Sequence, residues 1–128
     1  MKYLLDTCTF LWIAGASDRL SGHAREVYLD PGNEVYLSIV SVWEIALKHA
    51  TGKLALPAAP EAFVRQARDR EGIGAIGLDE RAVFALAKLP RIHSDPFDRM
   101  IVCQAQTERM TILTRDPEIR RHPVATEW

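Results

Sequence analysis

A three-layer α/β/α sandwich with a central parallel sheet of four to five strands is the fold class that the sequence predicts, and two patterns predict it. Short apolar runs alternate with helical periodicity along the whole chain. The apolar runs are continuous rather than alternating, as in strands covered on both faces and joined by helices instead of hairpin turns. Composition agrees, since 128 residues with 48% hydrophobic and 26% charged content suit one domain, residues 1–128, whose core needs neither disulfide nor structural metal.

In chain order, strands are expected over residues 2–5, 35–39, 73–78 and 111–114, and helices over 9–14, 22–29, 42–51, 61–70, 81–89 and 97–106, where apolar residues recur at spacings of three and four. Ser21, Pro60, Asp79 and the pair Asp95-Pro96 mark helix starts, and Gly52 and Gly72 mark helix ends. Residues 53–60, with two prolines, form a connection too short to divide domains.

The charge balance, 16 basic against 17 acidic residues, excludes a polybasic binder held to nucleic acid by gross charge, so any such contact is local. Cys8 and Cys103 have no ligand-like spacing and read as reduced, buried thiols. No leader-like opening and no membrane-length apolar run is present, which predicts a cytoplasmic protein without membrane contact.

Chemistry in open α/β sheets gathers beyond the carboxyl ends of the strands. Asp6 ends the first strand there, Glu44 falls in the first turn of the helix after the second, Asp98 lies near the start of its helix, and Asp116 follows the last strand by two residues. Four carboxylates converging on one volume repel each other unless a cation joins them. Hard oxygen donors with room for water suit Mg²⁺, with Mn²⁺ as the alternative, and such ions serve phosphodiester chemistry. Each acid also has a plainer role. Ser41 with Glu44 reads as a capping box, Asp95 before Pro96 and Asp116 before Pro117 as N-caps, while Asp6 lacks an evident capping partner. Thr7, Ser38 and Thr114 are placed to orient carboxylates, Asp95 to act from an outer position.

Arg99 and Arg115 are the basic residues expected to hold nucleic-acid phosphates, with Arg120, Arg121 and His122 beside them and Arg91 and His93 approaching from the preceding loop. The four histidines are scattered without nucleophile or ligand spacing, which disfavours catalysis by paired histidines. Trp12 and Trp43 read as core or subunit-interface residues, and Phe63, Val64 and Ala67 as core or as a partner-binding helix face. A receiver-type phosphotransfer domain would need an acidic pair after the first strand and a late lysine, where this chain has Asp6 alone and Arg115.

Four segments, Tyr3-Leu4-Leu5-Asp6-Thr7 through Trp12, Ser38 through Lys48, His93 through Ile101, and Leu113-Thr114-Arg115-Asp116, together resemble the PIN-domain ribonucleases, specifically VapC-type toxins of bacterial toxin-antitoxin pairs. The resemblance spans nearly the whole chain in order. It implies Mg²⁺-dependent endonucleolytic RNA cleavage, homodimerisation, and inhibition by a cognate antitoxin entering the active-site groove. By position it makes Asp6 and Asp98 the principal metal ligands, with Glu44 and Asp116 completing the quartet and Asp95 a capping or outer residue. Cys8 and Cys103 depart from the family's usual residues without removing an acid. The preference for RNA over DNA rests on this resemblance alone, and a non-catalytic interaction domain of the same fold is the other alternative.

Overall fold

The computed structural model describes residues 1–128. Its strands are β1 (Lys2–Leu5), β2 (Glu34–Ser38), β3 (Gly74–Ile76), β4 (Thr111–Leu113) and β5 (Thr126–Glu127), all parallel, in the order β3-β2-β1-β4-β5. The helices are α1 (Thr7–Ala14), α2 (Gly22–Leu29), α3 (Ile39–Ala50), α4 (Pro60–Glu71), α5 (Glu80–Ala85), α6 (Pro96–Glu108) and α7 (Pro117–Arg120), with a 3-10 turn at Leu86–Lys88. No helix is long and apolar enough to cross a membrane.

Side chains alternate across a strand, so each strand feeds two cores. Tyr3 and Leu5 of β1, Val35 and Leu37 of β2 and Leu113 of β4 point to one side, where Phe10, Ile13, Ala24, Val27, Val64 and Ala67 of α1, α2 and α4 cover them. Leu4 of β1 and Ile112 of β4 point to the other, against Ala82 of α5 and Ile101, Val102 and Ala105 of α6. This is the three-layer arrangement that the continuous apolar runs predict. Val64 and Ala67 are buried and Phe63 meets the Phe10 ring edge-on at 6.5 Å, so that stretch is core and not a free face.

Several expected boundaries move, each for a local reason. The first helix begins at Thr7 rather than residue 9 because Asp6 caps it, accepting the Thr9 amide. The third begins at Ile39 rather than 42, because the Ser38 hydroxyl accepts the Val40 amide and ends β2 there. The capping box expected at Ser41 and Glu44 therefore does not form, and Glu44 lies in the second turn. Strand β3 is shorter than expected, reaching only from Gly74 to Ile76. Gly74 lies opposite Tyr36, and its missing side chain leaves the Tyr36 ring room that a Cβ would fill at 2.8 Å. The short α7 follows the cap expected at Asp116-Pro117, whereas β5, the fifth strand, has no apolar run to mark it. Two residues are too few to show a period, and what fixes β5 is distant: Tyr3 donates its phenol to Glu127 at 2.6 Å, with His23 2.8 Å from the same carboxylate.

Phe10 is fully buried at the centre of the first core. Phe10→Ala is expected to lower unfolding free energy by about 3–5 kcal/mol, whereas Leu29→Ala, at a position 59% exposed, is expected to stay within about 0.5 kcal/mol. Urea unfolding of the two variants checks the contrast.

A candidate metal centre at the carboxyl ends of the strands

Strand β1 has β2 on one side and β4 on the other, so the connections leaving β1 and β4 diverge and open a crevice at their carboxyl ends. Asp6 is the first residue past β1 and is 4% exposed. One carboxylate oxygen accepts the Thr9 amide at 2.7 Å, and the other accepts the Thr114 hydroxyl at 2.5 Å from the far side of the crevice. Thr114 Oγ1 in turn accepts the Asp116 amide at 3.0 Å, so Asp6, Thr114 and Asp116 form one hydrogen-bonded run. Asp116 caps α7, with Oδ1 accepting the Glu118 amide at 2.8 Å.

Glu44 reaches the same place from α3 and is also 4% exposed. Its Oε1 accepts the Thr7 hydroxyl at 2.5 Å, and its Oε2 accepts the Lys48 ammonium, one turn along the helix, at 2.5 Å. Ser41, buried inside α3, lies 3.0 Å from the Thr7 hydroxyl. Thr7 and Thr114 thus each donate a hydrogen bond to a carboxylate, of Glu44 and Asp6. Ser38 does not, because its hydroxyl is committed to the α3 cap. Ser41 and Lys48 were not singled out from sequence. Reading Ser41 as a cap hid its inward position, although its spacing from Glu44 is compatible with one helix face.

Asp95 caps α6, with Oδ1 accepting the Phe97 and Asp98 amides at 2.9 and 3.0 Å. The Asp98 carboxylate, in the first turn, accepts no hydrogen bond, and His93 Nε2 lies 3.7 Å from its Oδ2. Burial, followed by repulsion from Asp95, Glu44, Asp116 and Asp6, pushes Asp98 up to about 8. Burial also raises Asp6, against the hydrogen bonds from Thr114 and Thr9, which favour its charged form. Five acids therefore feel one another across the crevice, a repulsion that a bound cation would offset.

In their present positions no three Asp, Glu, His or Cys side chains close around a common point. An ion held here would be bound by one or two carboxylates and by water, as hard divalent cations commonly are. Asp98, with both oxygens open, and Asp6 across the crevice are the residues suited to hold it. Cys8 sits at the rim and is exposed, correcting the expectation of a buried thiol, and its thiol is pushed up to about 11 by partial desolvation and by Asp6, Glu44 and Asp98. Cys103 is buried, as expected.

Around the acids the basic residues separate into distinct roles. Arg115 lies with its guanidinium 4.9 Å from the Trp12 ring centre, beside a cavity of about 180 Å³ lined by Asp6, Cys8, Trp12, Arg115, Asp116 and Pro117. Arg99 donates Nη1 to the backbone oxygens of Pro90 and His93 at 2.9 and 3.1 Å. Arg121 is paired with Glu118, and Arg120 is exposed. His122 is 4% exposed and cannot reach a phosphate; its Nε2 lies 2.8 Å from His93 Nδ1. The expectation that the histidines are scattered is corrected in space, for His122, His93 and Asp98 form a row. Trp43 is 62% exposed and meets Phe97 edge-on at 4.8 Å.

Asp98 sets the sign of a pH dependence. Between its ordinary value of 3.8 and about 8 the folded, metal-free chain binds more protons than the unfolded one, so stability contributed by the protonated carboxyl is full below that window and is lost as pH rises through it. Urea midpoints in EDTA are expected to be lower at about pH 8 than at about pH 5. Asp98→Asn, which keeps the neutral shape, is expected to flatten that difference, and Mg²⁺ to raise the midpoint of the unsubstituted protein at the higher pH. An Asp98→Asn slope equal to that of the unsubstituted chain would assign the effect to other groups.

Among curated proteins none matches the sequence significantly. The fold is similar to that of VapBC2 from Rickettsia felis bound to a DNA fragment from its promoter (TM-score 0.75, 18% identity, 100% of this chain and 99% of that one). It is also similar to VapBC-1 from nontypeable Haemophilus influenzae (TM-score 0.66, 18% identity, 99% and 97%) and to VapBC-5 of the VapBC family of toxin-antitoxin systems from Mycobacterium tuberculosis (TM-score 0.62, 18% identity, 98% and 95%). The family profile of the PIN domain matches residues 3–125, nearly the whole chain, and the chain therefore belongs to the PIN domain family.

Proposed function

We propose that the chain is a divalent-metal endoribonuclease, the toxin of a VapBC-like toxin-antitoxin pair, using Mg²⁺ or Mn²⁺ in the crevice at the ends of β1 and β4. The observation that carries this reading is Asp98, a largely buried carboxylate with no hydrogen-bond donor, repelled by four neighbouring acids. PIN family membership and the fold shared with VapBC proteins support it.

Asp6 and Asp98 are the residues that would hold the ion. When bound, the ion supplies Lewis-acid polarisation of the phosphoryl group and neutralises charge building on the leaving oxygen. The chain's own residues supply the rest. Thr114 and the Thr9 amide fix Asp6, and Thr7 and Lys48 fix Glu44, so neither carboxylate needs to reorganise on substrate arrival. Glu44 and Asp116 complete the acidic quartet, with Asp116 held by its own cap and able to accept a proton from an attacking water within reach. Arg115, immobilised on Trp12, flanks the crevice where a phosphate of the RNA passes.

The same reading gives the protein two partners. One is a cognate antitoxin, as the VapBC complexes suggest. The other is a second copy of the chain. Ile39, Trp43 and Leu47 fall on one exposed stripe of α3, with Val83 and Phe84 exposed on α5, and such an apolar area suits a subunit interface in the cytoplasm.

The deciding experiment is cleavage of an RNA set including tRNA, in Mg²⁺ and in EDTA, by the unsubstituted protein and by Asp6→Asn and Asp98→Asn. Metal-dependent cleavage is expected, reduced by at least about 10²-fold in each variant. Cleavage of DNA in preference to RNA would replace the substrate, and absence of cleavage with a folded protein would leave a non-catalytic domain whose acids are only caps.

A further inference from the structure

A second cavity, of about 470 Å³, lies on the α6 side of the acids and is lined by Arg91, His93, Ser94 and Arg99. No carboxylate is among these four, and neither arginine takes part in the chain's ion pairs with acids. The Arg99 guanidinium is not loose. Its Nη1 is held by the carbonyls of Pro90 and His93, which leaves its other N–H groups uncommitted on a fixed plane and clamps the loop that carries Arg91.

His93 is the wall between this cavity and the metal centre. Its Nδ1 lies 2.8 Å from His122 Nε2, which holds the ring on one side, and its Nε2 faces the acids, 3.7 Å from Asp98 Oδ2. A rigid, cationic, carboxylate-free cavity thus stands one imidazole away from Asp98. In a chain of net charge -1 this is a local positive field, not a share of a general one. Planar guanidinium groups beside a hydroxyl match the oxygens of a phosphate, the anion they bind in pairs of parallel hydrogen bonds.

We propose that Arg91, Ser94 and Arg99 form a phosphate site, and that it takes the backbone phosphate next along the strand from the one at Asp6 and Asp98. The strand assignment rests on the nuclease reading, whereas the anion site does not. Such a contact fixes where the strand lies relative to the acids and carries no base information of its own.

Arg91→Gln tests it, because Arg91 makes no internal bond that its loss would break, unlike Arg99. In EDTA, inorganic phosphate is expected to shift the Ser94 amide and the His93 ring resonances saturably in the unsubstituted protein, with affinity reduced several-fold in Arg91→Gln. In Mg²⁺, Arg91→Gln is expected to raise KM for RNA several-fold and to reduce the slope of log KM against log salt by about 1. No saturable shift, or the same affinity in Arg91→Gln, overturns the anion site. Phosphate binding with KM and salt slope unchanged overturns the strand assignment, as that site would then serve free anions. If the unsubstituted protein cleaves nothing yet phosphate still binds through Arg91, the nuclease reading has failed, and the strand assignment with it, while the anion site stands.

Discussion

The carboxylate of Asp6 joins three parts of the chain that the sheet alone would leave separate. One oxygen starts α1 through the Thr9 amide, and the other reaches across the crevice to Thr114, which passes the constraint on to the Asp116 amide. Hydrogen bonds to a charged group are worth about 1.5–3 kcal/mol each, yet removing a carboxylate from water costs several kcal/mol. The direction of the Asp6 shift decides which wins. Burial outweighs the hydrogen bonds, so the charged form stays under-compensated even in a well-bonded position. Asp6 is thus fixed by the fold in a position where a positive charge would favour its ionised form.

Helix capping and metal ligation, alternatives when the sequence is read alone, are compatible at most of these acids. Asp116 and Asp95 use only Oδ1 for their caps, and that bond fixes where Oδ2 points. Because backbone amides at a helix start also favour negative charge, each cap helps to hold an anion in a place where other anions repel it. Asp98 differs, since it sits inside the first turn of α6 rather than before it and accepts no hydrogen bond. Its position is set by Asp95, three residues earlier, which makes the spacing within Asp95-Pro96-Phe97-Asp98 a device for presenting one bare carboxylate.

Much of this was legible in the sequence because it is local. Continuous apolar runs gave the layers, proline and aspartate marked the starts of α6 and α7, and acids at strand ends marked the crevice. What escaped was non-local. Ser41 reads as a cap until Ser38 is seen to hold the Val40 amide, a choice between two serines that the backbone makes after β2 pairs with β1. Lys48 reads as an exposed helix lysine until Glu44 turns inward beside it. His93 and His122, 29 residues apart, meet only because α6 and the turn after α7 pack on the same side of the sheet. Strand β5, two residues long, follows from Glu127 being held by Tyr3, not from any preference of its own.

The distribution of charge also explains how a chain with almost no net charge can act on a polyanion. Asp6, Glu44, Asp95, Asp98 and Asp116 crowd the crevice against one nearby ammonium, that of Lys48, so the centre alone repels a phosphate backbone. Arg115 lines one cavity with Asp6 and Asp116, and Arg91 and Arg99 line another that holds no carboxylate. On the proposed reading, a strand would be attracted at the flanks and repelled between them until a divalent cation offset the charge in the middle. Lys48 is tied to Glu44 and does not compensate Asp98. Under the proposed function, binding of an ion and of a strand would then be coupled, since each would remove a repulsion that the other faces, with opposite charges separated over one sheet edge instead of one sign accumulated.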